Sequence, residues 1–348
     1  MPTTHNYRFI IQAFAQSPIT HGMTTSGNEQ VLRRSPVAIF PNGKLRMIQV
    51  PEVSGSAVRG VLRHHAVECD LARYGIEKTD MDTIRLIEKG GKLGGSESKA
   101  GVNLAKLNKL RRMFPSLDLF GCLDNIGQIT GKFLASPLML YCDEMVKAGL
   151  LPRAIKTMDG ETFQVFPTIE QPPLLSMGST SIQYYRHDLR VTSSHLLTGE
   201  ATKQIEDQST ELLAKQADGK MVKTDERRVA NESMPHSFEA IPAGMPLYGD
   251  WSLRNADAIT FAAFLQTLNY WIGNGAHVGG GAAKGHGKLL IDVTGSHRWT
   301  LERGVHAAMG GELVTNNPAE GIMKAMNLHF QEMKEDALHF VDKGEIRL

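Results

Sequence analysis

Residues 272–292 read IGNGAHVGGGAAKGHGKLLID, and this stretch limits the fold more than any other. Seven glycines lie between Gly273 and Gly287, interleaved with His277, Lys284, His286 and Lys288. Upstream, Ala258, Phe261, Ala262, Leu265, Leu268 and Ile272 recur at three and four residues, the spacing of a helix. Downstream, Leu289, Leu290 and Ile291 form a short apolar run that reads as a strand. The order is therefore helix, glycine-rich basic loop, strand. Glycine lets the main chain approach a ligand closely, and consecutive N–H groups in such turns form anion-binding concavities. Two lysines and two histidines in the loop favour phosphate. A P-loop needs G-x-x-x-x-G-K-[ST] between a strand and a following helix. Here Ala282 stands at the first glycine, Leu289 at the Ser/Thr, and the flanking elements come in the reverse order. The same reversal excludes a dinucleotide fingerprint. A plain flexible turn with incidental charges is the simplest alternative.

The rest of the chain must supply what completes such a site. Its 348 residues allow two average domains or one elaborated domain. At 41% hydrophobic and 22% charged it has the composition of a globular protein with a real core. The net charge of +1 means that any basic surface is local. Three cysteines without a C-x-x-C pair argue against a zinc knuckle or a disulfide framework and fit a reducing compartment. With neither a secretory leader pattern nor a long apolar run, the expected setting is the cytoplasm, with no membrane contact.

Tyr7–Ser17 alternates, with apolar residues on both faces, and predicts a central first strand. Asn42-Gly43 between two apolar runs predicts a hairpin, made basic by Arg33, Arg34, Lys44 and Arg46. Ser54-Gly55-Ser56 then starts a helix, with serine as the cap. Arg59 and Arg63 stack four apart near its N-terminus. Like charges at that spacing repel by roughly 0.2–0.5 kcal/mol, and cations there oppose the helix dipole. A bound anion, or ion pairs with acids elsewhere, would relieve both. Segments 76–112 and 153–235 read as insertions, the second including a polar, exposed stretch from 198 to 232. Residues 237–253 are a pair of strands, and 296–348 a helical extension without a chemical motif. With the insertions removed the pattern is close to β-α-β-β-α-β, an α+β ferredoxin-like, RRM-like palm spanning residues 1–295.

Four segments in this order resemble the RAMP superfamily of CRISPR proteins, in particular the crRNA-binding backbone ("seven-family") subunits of multisubunit effectors. They are Phe9–Gly22 with its ending Ser17-Pro18-Ile19-Thr20-His21-Gly22, Val53–Arg63, Arg190–Pro242 with Arg190-Val191-Thr192 and FEAIPAG, and Gly273–Leu290. Length and the helical tail look most like type IV effectors, with type I and type III subunits next. The resemblance implies a palm that binds guide RNA, a thumb somewhere in 153–235, and copies stacked head to tail along one crRNA. It implies other effector subunits and a helicase as partners, and a complementary target nucleic acid, DNA before RNA, paired to the guide. Ser54, Gly55, Ser56, Arg59 and Arg63 match its phosphate-contacting helix start. Gly279, Gly280, Gly281, Lys284 and Lys288 match its glycine loop. His286 in that loop is expected to be exposed and to join the phosphate contacts, and Arg33 and Arg34 to contact the backbone.

Members that cut target RNA carry an aspartate before a Ser-Pro; here Arg34 precedes Ser35-Pro36, and Glu29 is a poor substitute. No catalytic residue, metal or cofactor is therefore expected. The rivals are a RAMP-type endoribonuclease with a histidine base, His64 or His65 being the candidates, and a metabolic phosphate-binding enzyme. A histidine on that helix is more simply read as a core residue.

Overall fold

The computed structural model describes residues 4–26, 29–77, 79, 81–88, 90, 103–124, 127–156, 162–166, 180–186, 234–295, 300–301 and 319–343. In chain order the first elements are β1 (His5–Ala15), β2 (Gly22–Ser26), β3 (Glu29–Leu32), β4 (Arg34–Ile39), β5 (Arg46–Val53), α1 (Gly55–Tyr74), α2 (Met81–Ile87), α3 (Leu104–Met113) and α4 (Pro115–Phe120). Next come β6 (Cys122–Asp124), β7 (Gly127–Ile129), β8 (Phe133–Ala135), β9 (Leu138–Leu140), α5 (Asp143–Lys147), β10 (Ala154–Lys156) and β11 (Thr162–Gln164). The last are β12 (Thr180–Arg186), β13 (Met234–Ala240), β14 (Pro246–Ala256), α6 (Ala258–Gly273), β15 (Leu289–Gly295), β16 (Thr300–Leu301) and α7 (Ala319–Lys343). The Arg190–Thr192 match, the polar stretch 198–232 and most of the expected thumb lie outside the described residues.

Two compact units result. The smaller comprises residues 22–32 and 180–239 and holds one sheet in the order β12-β13-β3-β2. Within it β3 pairs parallel with β13, and Glu239 Oε2 accepts from the Leu32 N–H at 2.9 Å.

The larger unit carries the eight-stranded sheet β16-β15-β1-β14-β9-β5-β4, with β8 also on β14. Inside it, β15-β1-β14 with β8 and β9 form an antiparallel core, the helix α1 preceding β8 and α6 preceding β15. That is the expected split βαβ arrangement, with β4 and β5 extending one edge. Apolar residues on both faces make β1 central, because both faces are covered. On one, Phe9 meets Phe264 of α6 at 4.6 Å between ring centroids. On the other, Phe14 meets Phe166 at 5.1 Å, and Gln12 Oε1 accepts from the Phe166 N–H.

Helix limits follow local chemistry. Ser54 caps α1 by accepting from the Ala57 N–H, and Gly75, at φ 69°, ends it. Asp257 caps α6 by accepting from the Thr260 N–H. Unlike an amphipathic surface helix, α6 buries Phe261, Phe264, Leu268 and Trp271, because it lies among the sheet, α1, α4 and α7. The C-terminal α7 packs on α6, α3 and α1 through Met326, Phe330, Ala337 and Phe340. Between β4 and β5, Asn42 and Gly43 take φ of 53° and 74°, the left-handed pair that this dipeptide supplies for a tight reversal.

Phe264 sits where Phe9 and Phe133 meet, fully buried. Phe264→Ala should cost about 3–5 kcal/mol. Phe40→Ala, at a position 66% exposed, should stay within about 0.5 kcal/mol of the parent. Chemical unfolding of the two variants beside the parent checks both values.

Candidate functional site

The glycine loop folds against the end of the first strand. The Val278 N–H donates to the Gly287 carbonyl at 2.9 Å and the His286 N–H to the Gly281 carbonyl at 3.2 Å, closing the loop on itself. The Gly287 N–H donates to the Pro18 carbonyl at 2.9 Å, and the Lys288 N–H to Ser17 Oγ at 3.0 Å. Thr20 grips it twice: its carbonyl accepts from the Gly280 N–H at 2.7 Å, and its hydroxyl donates to the Gly280 carbonyl at 2.7 Å. Two glycines are required on steric grounds. A Cβ at Gly279 (φ 75°) would strike the Thr20 carbonyl, and one at Gly287 (φ 76°) the Val278 carbonyl. The apex from Gly280 to Gly285 stays exposed, with Lys284 on it, and Lys288 is half-buried at its base.

The next residue, His21, holds the other turn. The Ser54 N–H donates to His21 Nε2 at 3.2 Å, and Ser54 Oγ lies 3.1 Å from the same nitrogen. Nε2 is thus an acceptor, which puts the ring proton of the neutral form on Nδ1. Ser56 Oγ is 3.1 Å from Ser54 Oγ. Gly55 is set against β8, where a Cβ would strike the Ala135 carbonyl. Consecutive residues, Thr20 and His21, therefore bring the Gly279–Lys288 loop and the N-terminus of α1 to one place. Burial first, and then the Arg33 guanidinium, hold the His21 imidazole below its ordinary value of 6.5 against an upward pull from Glu52. Glu52 is buried beneath this junction. Its Oε1 accepts from Arg33 Nε at 3.1 Å, while Oε2 has no partner among the described residues.

The other expected residues divide differently. Arg59 and Arg63 point inward. Arg59 donates to the Phe133 carbonyl and, at 3.0 Å, to the Phe120 carbonyl; Arg63 donates to the carbonyls of Phe120 and Gly121, at 2.5 and 2.7 Å. The repulsion and the opposed dipole, expected to be relieved by a bound anion or by acids elsewhere, are met instead by these carbonyl oxygens. Arg34 is half-buried in β4, opposite Pro51. His286 is not exposed as expected; the residue is 7% accessible, and burial and then Lys284 lower its pKa. The physical reason is that the loop's closure turns the ring inward. His64 lies outside the core, whereas His65 is largely buried, its side chain 17% exposed and packed edge-on against Tyr270. The His64 side chain is 53% exposed between Glu68 and Glu88, and His65 pairs with Glu68 at 3.0 Å. Among the described residues no group of three His, Cys, Asp or Glu could hold a metal ion.

Thr20, His21 and Glu52 were not among the sequence candidates. The available signal was a threonine and a histidine a few residues beyond a largely apolar strand, within a segment read only as that strand's ending.

No protein-family model and no curated protein matches the chain. Among solved structures it is similar to a chain described as "Type IV-B CRISPR Complex", at 21% identity and a TM-score of 0.43 over 82% of this chain and 90% of that one. It is also similar to "Crystal structure of Thermofilum pendens Csc2", at 10% identity and a TM-score of 0.35 over 96% of this chain and 78% of that one.

Because folding favours the neutral His21 ring, its contribution to stability is complete above the unfolded value near 6.5 and is lost as pH falls below it. The gap in melting temperature between the parent and His21→Gln should therefore be widest at neutral pH. It should narrow as pH is lowered through 6.5, as a thermal-unfolding series across that range would show.

Proposed function

We propose that this chain is a guide-RNA-binding backbone subunit of a type IV-like CRISPR effector. In this role it assembles head to tail with further copies along one crRNA, in company with other effector subunits and a helicase. The observation that carries the reading is the pair of links from Thr20 to Gly280 and from His21 to Ser54. They set a helix N-terminus beside an exposed glycine loop bearing lysine. A helix N-terminus offers free N–H groups and a positive dipole end to an anion. The loop apex offers main-chain amides and Lys284, with Lys288 at its base. Together they form one trough for a ribose–phosphate strand.

In this role Ser56, Gly281, Lys284 and Lys288 face the strand, while Ser54, which is buried, and Gly280, whose N–H and carbonyl are both bonded to Thr20, hold the two turns in place. Gly55 and Gly279 let the turns close, and Arg59 and Arg63 hold the start of α1 in place through the carbonyls they bind. Arg33, tied to Glu52 just before β4, and Arg34, in β4, flank the trough in this reading. Contacts of this kind read phosphates and not bases, so specificity comes from the guide's pairing with its complementary target, DNA before RNA. Arg34 stands where a cleaving relative would need a carboxylate, and a guanidinium can neither bind a metal nor accept a proton. The subunit is accordingly read as holding its guide without cutting.

Protein purified from cells transcribing a guide array should carry RNA whose length tracks particle size. A stoichiometric small ligand in place of RNA would favour a phosphate-binding enzyme and sink the proposal. Lys284→Ala should weaken binding to single-stranded RNA of unrelated sequences about equally. It should also lower the slope of log K against log salt by about 0.7, measured by fluorescence anisotropy over a salt series.

A further inference from the structure

The larger unit exposes two surfaces of opposite character that the trough does not use. The first is the tip of the β4–β5 hairpin, at the open edge of the eight-stranded sheet. Phe40, Leu45 and Met47 are exposed there by 66%, 63% and 56%, and Lys44 and Arg46 stand among them. Apolar side chains so exposed on a reversal have no role in the fold of this chain. The second is the outer face of α7. Its inner face is buried against α6, α3 and α1, so the outer one points away from the sheet. Leu328 (52% exposed) and Leu338 (41% exposed) lie on it at helical spacing, with Glu332 and Glu335 between them. Lys324 lies a turn before Leu328, and Asp342 further on is paired with Lys343 at 2.9 Å. The central turns of this face carry Glu332 and Glu335 against one lysine, Lys334, and are acidic on balance and apolar, where the hairpin tip is basic and apolar.

We propose that the hairpin tip of one copy docks on the outer face of α7 in the next copy. Lys44 and Arg46 then oppose Glu332 and Glu335, and Phe40, Leu45 and Met47 cover Leu328 and Leu338. The two surfaces differ, so the contact is heterologous and leaves an unused tip and an unused helix face at the ends of every assembly. Such a contact propagates into an open row and does not close a pair. A hairpin tip is a small interface, and a shared RNA strand raises the effective concentration of neighbouring copies. This inference rests on the RNA-bound row proposed above and names the surfaces that join it.

The test uses the full-length chain with Leu45→Cys in one preparation and Leu338→Cys in another. The native cysteines Cys69, Cys122 and Cys142 are buried and do not compete. Mixed on RNA long enough for several copies and mildly oxidised, the two should give a disulfide-linked dimer that neither gives alone. In parallel, a Lys44→Glu, Arg46→Glu chain should keep parental affinity for an oligoribonucleotide that holds one copy. It should lose cooperative assembly on long RNA, and adding Glu332→Lys and Glu335→Lys to the same chain should restore it. No mixed dimer, with or without RNA, overturns the contact. So does parental assembly by the charge-reversed chain. Loss of short-RNA affinity in that chain also overturns it, because the tip would then be an RNA surface. Failure of the parent to bind RNA at all would sink the guide-holding role instead, and the cross-link in concentrated RNA-free protein would still decide the contact.

Discussion

The structure depends on what happens where β1 stops. Its apolar side chains are covered on both faces, so the strand is fixed; Pro18 and the buried Ile19 follow its end, and then come two polar residues. Thr20 takes hold of the glycine loop that comes after α6, and His21 takes hold of the serine cap of α1. The two turns are more than two hundred residues apart in sequence. In a split βαβ fold the two helices share one side of the sheet, and the two turns come together because both bond to one short segment at the end of a central strand.

Charge around this junction is arranged with the same economy. Glu52 and Arg33 neutralise each other beneath it. Arg59 and Arg63, which look like ligand-seeking cations, are bound to the carbonyls of Phe120, Gly121 and Phe133 and tie α1 to its neighbours. In the proposed role, the positive character that meets the strand comes from main-chain amides and from the lysines of the glycine loop. That pattern suits a chain whose net charge is only +1. The proposed local grip on phosphate needs no basic surface overall.

Much of the fold was legible in the sequence because its signals are local. The two-sided apolar pattern of β1, the Asn42-Gly43 reversal, the serine cap of α1 and the helical spacing before Gly273 each reflect backbone or burial chemistry within a few residues. The site was legible only in outline. Sequence spacing placed Arg59 and Arg63 on one helix face but could not say that carbonyl oxygens from residues 120–133 would meet them. The exposure expected for His286 failed because loop closure, a long-range event, turns that ring inward. His64 came out at the surface beside Glu68 and Glu88, since the sequence shows a helix face but not what covers it. Thr20 and His21 were passed over because their partners lie at Gly280 and Ser54, and no periodicity links such distant positions.

The central claim is that one nucleic-acid strand touches both turns at once. It is tested most directly by photocrosslinking a thiouridine-containing oligoribonucleotide to the intact protein and mapping the labelled peptides by mass spectrometry. The account predicts label on the segment around Ser54–Ser56 and on the segment from Gly279 to Lys288, competed away together by the same unlabelled strand. Label confined to other parts of the chain, or to one turn with the other untouched, would contradict it.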